Sequence, residues 1–227
     1  MPHAPSFAFS PYRLSGTVYG TLMNDPQALA ALGGSVHQAP YKAPPLAPVL
    51  YLKPRNTLAG AGDALVLPAG WEALEIGAAL GLVIGRTACR VSVDDALACV
   101  AGYAIVADVS LPHDSFYRPS IRFKARDGFC PIGPVVPASA IANPDALNVR
   151  VYLDGQLAQA SATAGRVRPV ARLLAAVTDF MTLQAGDILM LGVAAGAPQA
   201  RAGQRVAIEI DGLGRLENTV VTEEVAA

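Results

Sequence analysis

Runs of valine, leucine and isoleucine recur in short groups cut off by glycine, proline and other turn residues, and this punctuation points the chain towards a β-rich fold. The groups do not alternate with helical segments in a repeating βαβ register, so the pattern predicts a mixed α+β fold. A short strand and turn open the chain up to Gly20, and strand-like stretches follow at 49–53, 80–84, 102–110, 187–192, 205–211 and 219–222, with a hairpin turn at Asp154-Gly155. Helices are expected at 24–34, ended by glycines, at 92–101, capped by Ser92 with Asp94 and Asp95 in its first turn, and at 170–181, with Pro169 near its start. The prolines of 38–48 forbid a continuous helix there, which leaves a surface loop or an extended arm over a pocket.

With 227 residues, 52% of them hydrophobic and 15% charged, the chain can bury a sizeable core without help from a metal or disulfides. A formal net charge of -1 supplies no long-range field for nucleic acid or an anionic membrane, so neither is an expected partner. The long apolar stretch 71–85 carries Glu72 and Glu75, and no segment approaches the roughly 18 consecutive apolar residues that cross a bilayer. Cys89, Cys99 and Cys130 form no CxxC pair and read as reduced, packed thiols of a cytoplasmic protein, a nucleophilic cysteine being the alternative. The opening residues lack the basic region and apolar run of a secretion signal.

Chemistry concentrates in one place. Asp108 ends an apolar strand, and a basic loop follows with His113, Arg118, Arg122, Lys124, Arg126 and Asp127. An aspartate there offers an oxygen ligand to Mg²⁺ or Mn²⁺, and Lys124 offers charge to a developing oxyanion or to a carboxylate. The same residues also suit a plain charged surface, and Lys53 and Arg55 beside Pro54 suit either substrate binding or a solvated turn. His3, His37 and His113 lack the spacing of a metal trio, and no phosphate loop, G-x-S-x-G elbow or H-E-x-x-H motif is present.

Residues 53–60 (KPRNTLAG), 75–86, 101–134 (with SFYRPSIRFKARDGFCPIGP), 183–192 (LQAGDILMLG) and 202–221 resemble, in the same order, the fumarylacetoacetate hydrolase family. SFYRPSIRFKARDGFCPIG, together with PYKAPP near Tyr41, is similar to an isomerase/decarboxylase branch that serves aromatic catabolism. The resemblance implies a mixed β-sandwich roll over 16–227 preceded by an arm at 1–15. It further implies Mg or Mn on an acidic set, and a dicarboxylate or tricarboxylate substrate. Asp108 stands at the family's metal aspartate. Lys124 and Asp127 match its Lys-x-x-Asp-Gly-Phe pattern and are the implied catalytic residues, while Lys53, Arg118 and Lys124 are the implied substrate-binding residues.

Departures from the family pattern are equally specific. Its Glu-x-Glu metal pair falls on Gly77 and Ala79, its acid/base dyad on Ala28 and Ala31, an arginine on Pro112 and a threonine on Val193. Glu75 and Glu72 are near the missing pair but out of place for it. The resemblance therefore implies a companion subunit with an incomplete metal site, forming a homodimer or a heterodimer with a related metal-binding subunit. A stand-alone enzyme with a rearranged site and a noncatalytic homodimer remain as alternatives.

Overall fold

The structure is a computed structural model that describes residues 16–39, 42–113 and 121–223. Two larger β-sheets pack against each other across the main core, and Leu58–Ala59 pairs with Cys130–Pro131 in a third, two-stranded sheet. The larger, seven-stranded sheet runs Val49–Lys53, Val18–Leu22, Ile188–Met190, Leu74–Ile84, Val100–Ser110 and Val136–Pro137, with Gln199–Ala200 pairing further along Leu74–Ile84. The five-stranded sheet runs Gln156–Ala162, Asn148–Leu153, Arg205–Ile210, Gly214–Thr222 and Ala64–Leu67. Parallel pairing of Val18–Leu22 with Ile188–Met190, and of Gly214–Thr222 with Ala64–Leu67, makes both sheets mixed. This is the α+β, non-barrel architecture that the sequence implied.

Side-chain alternation explains why two apolar clusters form. On Leu74–Ile84 the even-numbered residues Leu74, Ile76, Leu80, Leu82 and Ile84 enter the main core, whereas Ala79 and Val83 enter a smaller cluster on the opposite face. The neighbouring strand divides likewise, with Ile105, Ala107 and Val109 in the main core and Ala104 and Val106 opposite. A strand buried on both faces reads as a continuous apolar run, which is what residues 74–84 show. The Val170–Thr178 helix completes the main core by burying Val170, Leu173, Leu174 and Val177, one stripe at helical spacing.

Several boundaries differ from expectation. The helix expected at 92–101 is only Val93–Ala96 plus a 3-10 turn at Leu97–Cys99, because Val100 already pairs with Ile84 and begins the strand Val100–Ser110. The strand expected at 80–84 begins at Leu74, since Gly77 and Gly81 extend the pairing rather than end it. A short helix, Ile121–Lys124, interrupts the expected basic loop. Asp154 and Gly155 do form the hairpin turn, with φ of 51° and 81°. The expected arm at 1–15 lies outside the described residues. No helix among the described residues is long and apolar enough to cross a membrane.

Candidate functional site

The antiparallel pairing of Leu74–Ile84 with Val100–Ser110 sets Gly77 opposite Asp108, Glu75 opposite Ser110 and Ala79 opposite Val106. With a side-chain period of two, all six residues share the face away from the main core. The positions that the resemblance assigns to metal ligands are therefore neighbours on one surface, and of Gly77, Ala79 and Asp108 only Asp108 brings a carboxylate.

Asp108 is buried between two ammonium groups. Lys53 Nζ stands 2.8 Å from Oδ1 and Lys124 Nζ 2.9 Å from Oδ2, and the Tyr51 hydroxyl donates to Oδ2 at 2.5 Å. Lys53 Nζ also donates to the carbonyls of Val109, Phe129 and Lys124 at 2.7, 2.9 and 3.1 Å. Those three acceptors take its three protons, so its contact with Oδ1 is an ion pair rather than a hydrogen bond, and Oδ1 has no hydrogen-bond donor among the described residues. Burial alone would raise the Asp108 carboxyl, but Lys124 and Lys53 outweigh it and hold the group well below the usual carboxylate range. Burial raises the Tyr51 phenol, and the Asp108 charge raises it further, which keeps it a donor.

Local sequence explains these positions. Tyr51 and Lys53 are two residues apart on one strand and so share a face, while Leu52 between them is exposed. Gly20 lies opposite Tyr51, and a Cβ there would come within 2.0 Å of the Tyr51 ring, so glycine makes room for the ring. Asn56, just past Lys53, donates to the Ala125 carbonyl at 3.0 Å and to Asp127 at 2.7 Å, clamping the turn that follows the Ile121–Lys124 helix.

A cavity of about 240 Å³ opens beside this cluster, lined by Thr21, Ala28, Leu32, Glu75, His113, Lys124 and Val193 among others. Glu75 is partly buried; burial raises its carboxyl, Lys124 opposes the shift, and Asp108 adds to it. The His113 ring stacks on Phe123 with centroids 5.1 Å apart. Asp25 caps the Pro26–Ala31 helix, whose Ala28 lines the cavity, and Arg166 holds Asp25 at 2.8 Å.

The expected site residues thus separate. Asp108 and Lys124 come together, and Lys124 reaches the cavity. Lys53 is sealed beneath Asp108, so it offers a ligand charge without contact. Asp127 is exposed and absent from the cavity wall, where its visible partner is Asn56. Arg118 lies outside the described residues. Tyr51 and Thr21 escaped the sequence reading; for Tyr51, its two-residue spacing from Lys53 was the available signal.

These donors do not fit a divalent ion. Gly77 and Ala79 offer none, both Asp108 oxygens face ammonium groups, and no group of three or more His, Cys, Asp or Glu able to hold a metal gathers among the described residues. Val193 also crowds position 77, where a Cβ would stand 2.7 Å from its Cγ1.

The family profile described as fumarylacetoacetate (FAA) hydrolase C-terminal matches residues 17–221. The chain belongs to the fumarylacetoacetate hydrolase family. It is 41% identical over 210 residues, 92% of its own length, to the 4-hydroxyphenylacetate degradation bifunctional isomerase/decarboxylase of Escherichia coli, and 40% identical over 211 residues to the protein of that name from Salmonella dublin. Each match takes in 48% of the relative, so the chain spans about half the length of these curated relatives. Among solved structures, 5-carboxymethyl-2-hydroxymuconate delta-isomerase from Mycobacterium smegmatis superposes with a TM-score of 0.79 at 28% identity, covering 93% of this chain and 81% of that one. Fumarylpyruvate hydrolase from Pseudomonas aeruginosa, solved with Mn²⁺ and pyruvate, gives 0.76 at 25% identity, covering 98% and 97%.

Proposed function

We propose that this chain is the metal-site-degenerate companion in a 5-oxopent-3-ene-1,2,5-tricarboxylate decarboxylase / 2-hydroxyhepta-2,4-diene-1,7-dioate isomerase of 4-hydroxyphenylacetate catabolism. It contributes fold, interface and pocket wall, and a related metal-binding subunit carries the reaction. The carrying observation is the pair Gly77 and Ala79 on the face of Asp108, in a chain so similar to one half of the bifunctional enzymes. A Lewis acid that stabilises an enolate needs several oxygen ligands, and two of the positions that the resemblance assigns to them carry no polar side-chain atom.

The test is calorimetric titration of Mn²⁺ into the metal-stripped chain and its Asp108→Ala variant, followed by turnover assays with and without a related subunit carrying the Glu-x-Glu pair. The expected result is no specific Mn²⁺ binding alone and turnover only in the mixture. Stoichiometric Mn²⁺ binding and turnover by the chain alone, both lost in Asp108→Ala, would refute the proposal.

One observation favours a second reading. Glu75, His113 and Lys124 line the same cavity, which gives a stand-alone enzyme with a rearranged site its acid/base candidates. Turnover by the purified chain in the presence of a chelator, lost in Lys124→Met, would select that reading.

A further inference from the structure

We infer that the cavity beside Asp108 is a metal-independent receptor for the carboxylate of a small organic acid, in which Lys124 takes the charge-supplying place of a divalent cation and Thr21 adds a hydroxyl donor. This deepens the reading above and rests on it only in treating the cavity as a ligand site.

Three observations converge. The first is charge: two ammonium groups share one carboxylate within 3 Å, so the Lys53–Asp108–Lys124 cluster carries one positive charge in excess. Lys53 is sealed, so a ligand meets that charge at Lys124, whose side chain is 9% exposed and forms part of the cavity wall. Among the described residues one of the three Lys124 ammonium protons goes to an oxygen, Oδ2 of Asp108, while the Tyr51 ring packs 5.1 Å from the nitrogen. The other two protons remain for a ligand.

The second observation is an orphan. Thr21 lines the same cavity, is 3% exposed, and its Oγ1 has no hydrogen-bond partner among the described residues. A buried hydroxyl left in that state destabilises the fold, and a ligand oxygen would supply the missing hydrogen bond. The third is the remaining wall. Leu22, Leu32, Ala28, Val193 and Ala194 are apolar and suit a short hydrocarbon body behind one charged end. Glu75 is the opposing element, because its carboxylate competes for Lys124; replacing it should strengthen anion binding.

This receptor differs in selectivity from a chelating metal. A metal gains from a carboxylate and a neighbouring 2-oxo group together, whereas an ammonium and a hydroxyl can hold a carboxylate alone. Pyruvate and propionate, which differ at that 2-oxo position, therefore separate the two chemistries.

The experiment is NMR titration of each acid into the purified chain with EDTA, repeated with Mn²⁺ in place of EDTA, and with Lys124→Met, Thr21→Val and Glu75→Gln. Both acids should bind with dissociation constants within about threefold of each other, with no gain from Mn²⁺. Affinity should fall about tenfold or more in Lys124→Met, fall about threefold in Thr21→Val and rise about threefold in Glu75→Gln. Binding of neither acid, binding of pyruvate that needs Mn²⁺, or affinities indifferent to all three substitutions would overturn the inference. Should Lys124→Met not fold, the opposed shifts in Thr21→Val and Glu75→Gln decide. Carboxylate binding by a chain that also turns over alone would remove the companion reading and keep this one; absence of binding in a chain that activates its partner would do the reverse.

Discussion

Gly77 and Val193 compete for one small volume: a Cβ on Gly77 would stand 2.7 Å from Val193 Cγ1 and 2.9 Å from the Asp108 carbonyl oxygen. The valine side chain occupies part of the space that a side chain at 77 would need. Gly77→Ala is expected to cost about 1–3 kcal/mol through overpacking. Part of that cost should disappear in a Val193→Ala background, a coupling of about 0.5–3 kcal/mol in a double-mutant cycle read by urea unfolding. Additive losses would mean that the two residues do not share the space.

Lys53 holds structure together through charge and protons at once. It bonds three carbonyls from two segments and pairs with Asp108, all at 1% exposure. Removing one member of a buried ion pair leaves the other uncompensated, so Lys53→Met should destabilise by about 3–5 kcal/mol. The exposed neighbour Arg55 is the control, and Arg55→Ala should stay within about 0.5 kcal/mol. Equal losses for the two variants in urea unfolding would remove this structural role from Lys53.

The same lysine shows how far the sequence was legible. Short β-branched runs, the Asp154-Gly155 turn and the apolar stripe of Val170–Thr178 are local signals, and they recovered the α+β class. Asp108 and Lys124 were identified through their pattern, and they do meet. The three carbonyls that capture Lys53 were not legible, because backbone acceptors leave no trace in residue identity and come from segments far along the chain. Thr21 was missed for a related reason: a hydroxyl becomes informative only once burial has removed water from it. The overlong helix at 92–101 failed through tertiary override, since Val100 gains more by pairing in the sheet than by extending a short helix.

The three thiols should separate by reactivity. Cys89 is exposed, whereas Cys99 and Cys130 are buried. Burial is the main reason that the Cys130 thiol is pushed up to about 12, with Asp108 adding to the shift and Lys53 and Lys124 opposing it. Since the thiolate is the reacting form, iodoacetamide near pH 8 should label Cys89 in the folded chain and all three cysteines in urea. Labelling of Cys130 at the rate of Cys89 without denaturant would show that the region beneath Asp108 opens readily.

Acid should weaken the fold through Asp108. Its carboxyl is depressed on folding, so the folded chain binds that proton less readily than the unfolded chain does. The resulting stability is fully present above the unfolded carboxylate value of about 3.9, and it is lost progressively as pH falls from there towards the lower folded value. Lys53, lowered mainly by burial with Asp108 opposing, carries a desolvation cost that protonating Asp108 leaves uncompensated. Urea midpoints measured from pH 6 down to about pH 2 should therefore fall more steeply for the native chain than for Asp108→Asn, which lacks the titrating group. The variant should start lower at pH 6, because asparagine leaves two buried ammonium groups without their counter-charge. Parallel curves would show that acid acts elsewhere in the protein and that the Lys53–Asp108–Lys124 cluster does not control its acid stability.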